Sequence, residues 1–547
     1  MPQPPAIEPT LQTPAALRAR YLGLGLWSDE TIGSWVARQI ARHPGDELRI
    51  WSATRPARST LGRSYERGRR LAAGLRARGI GAGDAVAYQL PNWVEAAETF
   101  WGLSALGAII VPIVHYYGPR ELAYILERTR VRALVTTDRF GSADYLANLA
   151  AVRPRLRELE LVVVTPAQPD TALPGDVVAW AALQECDALP APVPVDPDQP
   201  ALVGYTSGTT ADPKGVIHTS RSVLAELGQQ ISQMPADEPR ASLVGAPAAH
   251  AIGLFGGILN PIGRGHAVHL TDQWNAERVL AAMLEADLSS GSGATIFLTS
   301  LLDAPGFSEA HRAKLRFCGM GGAPVPAAVC ERAEGLGIGV MRAYGSTEHP
   351  SITSSRHDAP RAKRNYTDGC PLPGVELRLV DASGREVSRG EPGEILSRGP
   401  DLFAGYTDAA LTARAVDAEG WYATGDVGVQ DADGYLTITD RKSDFIIRGG
   451  ANLSAAEIEE LAMRMPGVAE VAVVAAPDAR LGEKACAWLR LAPGAAEPGI
   501  GELQRHLERA GLPKQKWPEE LRVVSDFPRT PSGKIKKFEL RRRLREE

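Results

Sequence analysis

Residues Tyr205 to Val216 read YTSGTTADPKGV and gather three kinds of anion-binding group. Hydroxyls stand at Thr206, Ser207, Thr209 and Thr210, and Lys214 adds a compact positive charge. Gly208 lets the backbone approach a ligand closely. Successive backbone N–H groups with hydroxyl donors make a cradle for phosphate, so the stretch is suited to holding an anion. Ala201–Gly204 leads in as a buried strand, and Val216–Ile217 resumes as another. A Ser/Thr/Gly stretch between apolar runs is also what an ordinary hairpin turn looks like. The nucleotide P-loop G-x-x-x-x-G-K-[ST] is excluded, because Lys214 follows Pro213 and precedes Gly215. Further on, Arg342 to Glu348 reads RAYGSTE at the end of the apolar run Ile338–Met341, where open α/β sheets bind ligands. A turn with a solvated Glu348 is the plain alternative. Taken alone, His250 reads more readily as a core histidine, Asp426 and Arg441 as surface ion-pair residues, and Lys534 as a solvated lysine.

In their order along the chain these stretches resemble the adenylate-forming superfamily: acyl-CoA synthetases, stand-alone adenylation domains and beetle luciferases. The resemblance runs from about Trp27 to Leu544. It implies that Thr206, Ser207, Gly208, Thr209, Thr210 and Lys214 hold the ATP phosphates. Gly322, Ala323 and Pro324, in GMGGAP, would flank the adenine, and Tyr344 beside Gly345 would stack on it. Thr347 would touch the α-phosphate and Glu348 would hold Mg²⁺; a carboxylate plus phosphate oxygens is a usual magnesium environment. Asp426, in WYATGD, would accept from the ribose hydroxyls, and Arg441 would contact ribose or phosphate. His250, in APAAHAIGLFGG, would stand beside the carboxylate to be activated. Ala248, Ala249, Met320 and Gly321 would line the acyl pocket. Lys534, in RTPSGKIKK, matches the family's catalytic lysine, and Arg448, Gly449 and Gly450 would line a tunnel for the pantetheine of CoA. The family's hinge position is commonly Asp or Lys; here it is Ser443, which puts the hinge energetics in question and not the chemistry. The string YGSTEHPSIT looks most like medium-chain and alicyclic-acid (cyclohexanecarboxylate-type) CoA ligases.

The implied function is an ATP-dependent carboxylic acid:CoA ligase acting on a fatty or alicyclic acid, with ATP, Mg²⁺ and CoA. The alternatives are a stand-alone adenylating enzyme that loads a carrier protein and a non-catalytic nucleotide-binding relative. A homodimer is left open.

Composition narrows the classes. Of 547 residues, 44% are hydrophobic and 23% charged, as in globular proteins, and the length allows several domains. A net charge of −5 argues against a general nucleic-acid binder. Lysine is scarce beside arginine and none precedes Lys214. Cys186, Cys318, Cys330, Cys370 and Cys486 form no CxxC pair, which fits reduced thiols in a cytoplasm better than a disulfide frame or a zinc site. The opening MPQPPAIEPTLQ lacks the basic-then-apolar pattern of a signal peptide, and the longest early apolar run, Ala105–Val114, is too short to span a bilayer.

The elements that must position these residues follow from periodicity. Residues 1–25 read as a loose tail. Helical spacing covers Thr31–His43, Leu61–Arg78 and Trp93–Leu106, and strands are expected at Ala85–Leu90, Ala108–Val114 and Val131–Thr137. This alternation argues for parallel sheets with helices on their faces. Beyond the loop, strands are expected at Ser242–Gly245, Thr295–Leu298, Leu315–Cys318 and Ile338–Met341. The fold expected is α/β. A large AMP-binding domain of parallel-type sheets with flanking helices spans residues 26–440 and carries a β subdomain from about 370 to 440. A small mobile α+β lid spans 441–547.

Overall fold

The structure is a computed structural model of the chain. It describes all residues except 1–6, 207–212, 236, 442–443, 445, 449–450, 479, 530–534 and 547, and the side chains of 451–452. The largest sheet has seven strands in the order Lys214–Thr219, Pro200–Thr206, Ile109–Pro112, Ala85–Gln89, Ala133–Thr137, Leu161–Thr165 and Val178–Ala179. All neighbours in it are parallel except the first pair, which is antiparallel. Ala85–Gln89 and Ala133–Thr137 are buried at every position, as strands covered on both faces must be.

Three four-stranded sheets and a two-stranded one, Arg139–Phe140 with Ala143–Asp144, complete the part up to Arg441. One joins Leu243–Val244, Val268–Leu270, Glu47–Ile50 and Ala57–Thr60. In a second, Phe317–Met320 runs parallel to Gly339–Tyr344, which continues antiparallel through Thr353–Ser354 to Cys370–Pro371. The third is an antiparallel meander of Glu376–Val380, Pro392–Arg398, Tyr422–Gln430 and Leu436–Arg441. After it comes a five-stranded sheet built on the long hairpin Val468–Asp478 and Gly482–Leu491, with Ile446–Arg448, Ala451–Leu453 and Glu520–Val524 at its sides. Its own core gathers Ile446, Ile458, Val473, Leu489, Leu503 and Leu507. Among the described residues no helix is long and apolar enough to cross a membrane.

Two expectations are corrected. The stretch read as a loose tail contains a helix, Ala15–Gly23. Leu17 and Tyr21 on one face of it are buried with Trp27 and Ala225; that i, i+4 pair was too short a pattern to register as a helix. Thr295–Leu298, expected as a strand, opens a helix, Thr295–Asp303, which buries Leu298, Leu301 and Leu302 and leaves Ile296 exposed. A short apolar run does not by itself distinguish a buried strand from a helix. Elsewhere the expected elements shift by a few residues; Leu315–Cys318, for example, becomes Phe317–Met320. The helix Lys537–Glu546 had not been foreseen.

Candidate active site

The ends of the anion loop are fixed by a hairpin. Thr206 and Lys214 face each other across the antiparallel pair. The residues between them that carry the expected cradle, Ser207, Gly208, Thr209 and Thr210, lie outside the described residues. Beyond the hairpin, the chain from Ala404 to Thr407 is clamped onto Lys214–Thr219. Ala404 N donates to Ile217 O at 2.7 Å, Ile217 N to Gly405 O at 2.9 Å, and Thr407 N to Gly215 O at 2.8 Å. Position 215 admits no side chain, since a Cβ there would lie 2.8 Å from Thr407 Oγ1 and Cγ2. This clamp carries Tyr406 into the site, where its ring centroid lies 5.4 Å from Lys214 Nζ.

Tyr344 ends the strand Gly339–Tyr344, and the chain then turns sharply. Gly345 allows the turn: a Cβ on it would fall 1.9 Å from the Pro350 carbonyl oxygen. Ser346 N donates to His349 O at 2.9 Å and closes it. Tyr344 Oη donates to Asp426 Oδ2 at 2.7 Å. Burial and the Asp426 carboxylate hold this phenol well above its usual pKa, so it remains a donor. Asp426 and Arg441 are cross-strand partners, and Arg441 Nε reaches Asp426 Oδ1 at 2.9 Å. The carboxylate is thus oriented from both sides.

Thr347 and Glu348 are held from below and behind. His218 Nε2 lies 2.7 Å from the Thr347 carbonyl oxygen. A carbonyl only accepts, so this nitrogen carries the proton. Burial lowers the His218 pKa, which keeps the ring neutral, and Nδ1 faces Ser222 Oγ at 3.1 Å. Tyr406 Oη donates to Glu348 Oε1 at 2.7 Å, and Phe403 N donates to the Glu348 carbonyl oxygen at 2.8 Å. Glu348 is buried, yet it lines a cavity of about 2280 Å³. Thr206, Lys214, Tyr344, Gly345, Thr347, Asp426 and Arg441 line the same cavity. Gly322, Ala323 and Pro324 line it too, and Gly322 has a left-handed φ of +78°.

The acyl wall needs revision. Ala249 and His250 line the cavity together with Ala251, Leu254 and Phe255. His250 caps the short helix Ala251–Gly253, its Nδ1 accepting from Ile252 N at 3.3 Å. Ala248, however, is fully buried in the core. Its N–H donates to Asn92 Oδ1 at 2.7 Å, and its carbonyl accepts from Tyr88 Oη at 3.1 Å. Met320 is buried with Leu298, Leu315 and Val340, and Gly321 packs its backbone against the Ala343 carbonyl. None of these three is among the residues lining the cavity. Strand alternation explains Met320: in Phe317–Met320 the second and fourth side chains point into the core.

Past Arg441, the cavity is faced by Glu457, Glu459, Arg529, Lys536 and Lys537 among others. Lys537 Nζ pairs with Glu459 at 2.8 Å. Arg448, expected beside a tunnel, instead pairs with Glu519 Oε1 at 2.5 Å and does not line this cavity. Gly449, Gly450, Ser443 and Lys534 lie outside the described residues. Sequence reasoning missed Tyr406, His218 and the buried pair Glu226 and Asp401. Tyr406 carries no local signal, because only the pairing of distant strands brings it to Glu348.

Two family descriptions match this chain: AMP-binding enzyme over residues 36–407 and AMP-binding enzyme C-terminal domain over residues 457–534. A medium-chain fatty-acid–CoA ligase of Escherichia coli (strain K12) is 32% identical over 530 residues, 96% of this chain and 92% of that protein. The 3-[(3aS,4S,7aS)-7a-methyl-1,5-dioxo-octahydro-1H-inden-4-yl]propanoyl:CoA ligase of Rhodococcus jostii (strain RHA1) is 35% identical over 521 residues, covering 92% and 97%. The crystal structure of ATP-bound MatB from Rhodopseudomonas palustris superposes with a TM-score of 0.83 at 26% identity, covering 94% of this chain and 99% of that one.

Proposed function

The chain belongs to the AMP-binding enzyme family and is an ATP-dependent carboxylic acid:CoA ligase working through an acyl-AMP intermediate, and we propose how its own residues do this and on which acids. The observation that carries the proposal is the convergence of Lys214, Glu348 and the Tyr344–Asp426–Arg441 chain on one cavity.

A carboxylate resists thiols because its leaving group would be oxide. A carboxylate oxygen attacks the α-phosphorus of ATP, pyrophosphate leaves, and a mixed anhydride forms. The CoA thiol then attacks the acyl carbon and AMP leaves. Positioning and charge stabilisation dominate such transfers. Lys214, Thr206 and the 207–210 segment hold the phosphates, and Thr347 contacts the α-phosphate. Gly322, Ala323 and Pro324 flank the adenine and Tyr344 stacks on it, while Asp426, steadied by Arg441, accepts from the ribose. His250 stands beside the acid, and Lys534 neutralises charge as acyl-AMP forms. A domain boundary at Asp440 to Ser443 lets the smaller unit present Lys534 for the first half-reaction and the Gly449–Gly450 face for the second. With Arg448 held by Glu519, the two glycines carry the tunnel assignment.

Magnesium fits the donor set. Among the described residues no three His, Cys, Asp or Glu side chains gather to hold a metal ion. Glu348 offers this cavity a carboxylate whose position is fixed by Tyr406. One carboxylate plus substrate phosphates is how Mg²⁺ is commonly held, and the ion there would screen phosphate charge. Glu348→Gln is expected to raise the Mg²⁺ concentration needed for half-maximal pyrophosphate release by roughly tenfold or more. An unchanged Mg²⁺ dependence would remove Glu348 from the metal site.

The acid is a medium-chain or ring-bearing carboxylic acid, and the enzyme is cytoplasmic. The Ala249–Phe255 wall supports the acid class, being apolar and opened by small residues. A panel of straight-chain and alicyclic acids with a pyrophosphate readout tests it; activity confined to amino acids or to short dicarboxylates would refute the class.

A further inference from the structure

The turn that carries Thr347 and Glu348 is gripped by one face of the helix Ser220–Gln233. Ser222 and Glu226 are four residues apart and so share that face. Ser222 Oγ faces His218 Nδ1 at 3.1 Å, and His218 Nε2 holds the Thr347 carbonyl oxygen. At the far end of the turn, Ser351 Oγ donates to Glu226 Oε1 at 2.7 Å, and Gln230 Nε2 donates to the same oxygen. Gln230 is steadied in turn by Asn260 Nδ2, which donates to its Oε1 at 2.7 Å.

Asp401 completes the grip. Ser351 N donates to its Oδ2 at 3.4 Å, and His349 Nε2 lies 3.2 Å from its Oδ1. The other ring nitrogen of His349 lies 2.8 Å from Ser397 Oγ. Two residues beyond Asp401, Phe403 N donates to the Glu348 carbonyl oxygen. Glu226, Asp401 and His349 are all fully buried. No N–H or O–H among the described residues reaches Glu226 Oε2, and what it meets is the Asp401 carboxyl. Two carboxyl groups in contact away from water cannot both ionise, so one proton lies between them. Burial and the Asp401 charge push Glu226 up to about 8, which keeps that proton at neutral pH. The other titratable groups around the pair are His349 and Glu348 on the turn, His218 on the strand Lys214–Thr219 and Tyr21 on the helix Ala15–Gly23, with the Arg398–Glu376 ion pair behind Tyr21. Burial lowers the His218 pKa and raises that of Tyr21, so neither ring supplies a charge.

We propose that Glu226 and Asp401 act as one proton-sharing pair that positions Thr347 and Glu348 for acyl-AMP formation, and that adenylation fails at alkaline pH when this proton leaves. It rests on the reading above that Thr347 meets the α-phosphate and Glu348 the magnesium; the Mg²⁺ dependence of Glu348→Gln judges that reading separately. Without the proton, two like charges stand in contact in the core. Driving Asp401 away from Glu226 loosens the anchors of His349, Ser351 and Phe403 together. Both acids are positioning residues that work through the turn.

The test uses the full chain and single-turnover pyrophosphate release without CoA, across about pH 6–10, with hexanoate and cyclohexanecarboxylate as probe acids. The wild-type rate is expected to fall about tenfold per pH unit above about 8. Glu226→Gln offers Asp401 a donor that cannot ionise; it should keep the neutral-pH rate within about threefold and lack this fall. Glu226→Met loses both bonds and should lower the rate about 100-fold at every pH, for both acids alike and with KM for the acid within about threefold. A Gln variant that follows the wild-type profile, or loses rate as the Met variant does, overturns the proposal. So does a Met variant with wild-type rate or with an altered preference between the two acids. If the Met variant does not fold, the Gln profile decides alone. Release from neither acid by the wild type would defeat the acid class, and thermal unfolding, which needs no acid, then decides. Between pH 4.5 and about 8 the folded chain keeps a proton that the unfolded chain has released, so the stability drawn from the pair is whole below that window and is lost as pH rises through it. The wild-type unfolding temperature should therefore fall relative to that of Glu226→Gln across the window, and parallel curves would overturn the proposal.

Discussion

Lys534→Ala is expected to slow acyl-AMP formation by about 10²–10³ while leaving conversion of supplied acyl-AMP and CoA to thioester close to wild type. Loss of one preorganised donor to a developing charge typically costs that much. The flanks of the segment are anchored for this role: Arg529 and Ile535 form an antiparallel bridge, and both line the cavity that holds Lys214 and Glu348. Gly450→Leu is expected to do the opposite, releasing pyrophosphate while blocking entry of the thiol. Single-turnover measurement of each half-reaction in both variants checks this. Equal slowing of both halves by Lys534→Ala would refute the division of labour between two orientations of the smaller unit, and intact thioester formation in Gly450→Leu would move the CoA route elsewhere.

The second large effect is at Gly345. A Cβ there would lie 1.9 Å from the Pro350 carbonyl oxygen, a backbone atom with no side-chain freedom to retreat. Gly345→Ala must therefore open the turn that carries Thr347 and Glu348 and break the bond from Ser346 N to His349 O. Overpacking of this kind costs roughly 1–3 kcal/mol of stability. Displacing a positioning group by about 1 Å can cost 10²-fold in rate, and that is the expected fall in adenylation kcat/KM. Gly228→Ala is the control: it lies within the helix Ser220–Gln233, and its added Cβ meets nothing within 4 Å. It should gain about 0.5–1 kcal/mol in thermal or denaturant unfolding. Wild-type adenylation in Gly345→Ala would show that the turn does not position the reacting groups.

Local motifs were legible because they need particular residues in sequence. YTSGTT, RAYGSTE and WYATGD each set glycine or hydroxyl beside a charged or aromatic group, and their flanks Thr206, Lys214, Tyr344, Glu348 and Asp426 all face one cavity. The parallel sheets were legible for the same reason, since fully buried strands such as Ala85–Gln89 leave unbroken apolar runs. What failed depended on the third dimension. Ala248 and Ala249 are adjacent and chemically identical, yet one is tied into the core through Asn92 and Tyr88 while the other lines the cavity. Tyr406 reaches Glu348 across 58 residues of sequence because its segment adds to the edge of Lys214–Thr219. Glu226 reads in sequence as an ordinary helical glutamate, and only the approach of Ser351 and Asp401 makes it a buried acid.

The central claim is activation through acyl-AMP, and it is tested most directly by the fate of the carboxylate oxygen. With an acid labelled with ¹⁸O in both carboxylate oxygens, and with ATP and CoA supplied, the account predicts one ¹⁸O in the phosphate of the AMP released, read by mass spectrometry. Thioester formation with unlabelled AMP, or with the label in inorganic phosphate, would contradict it.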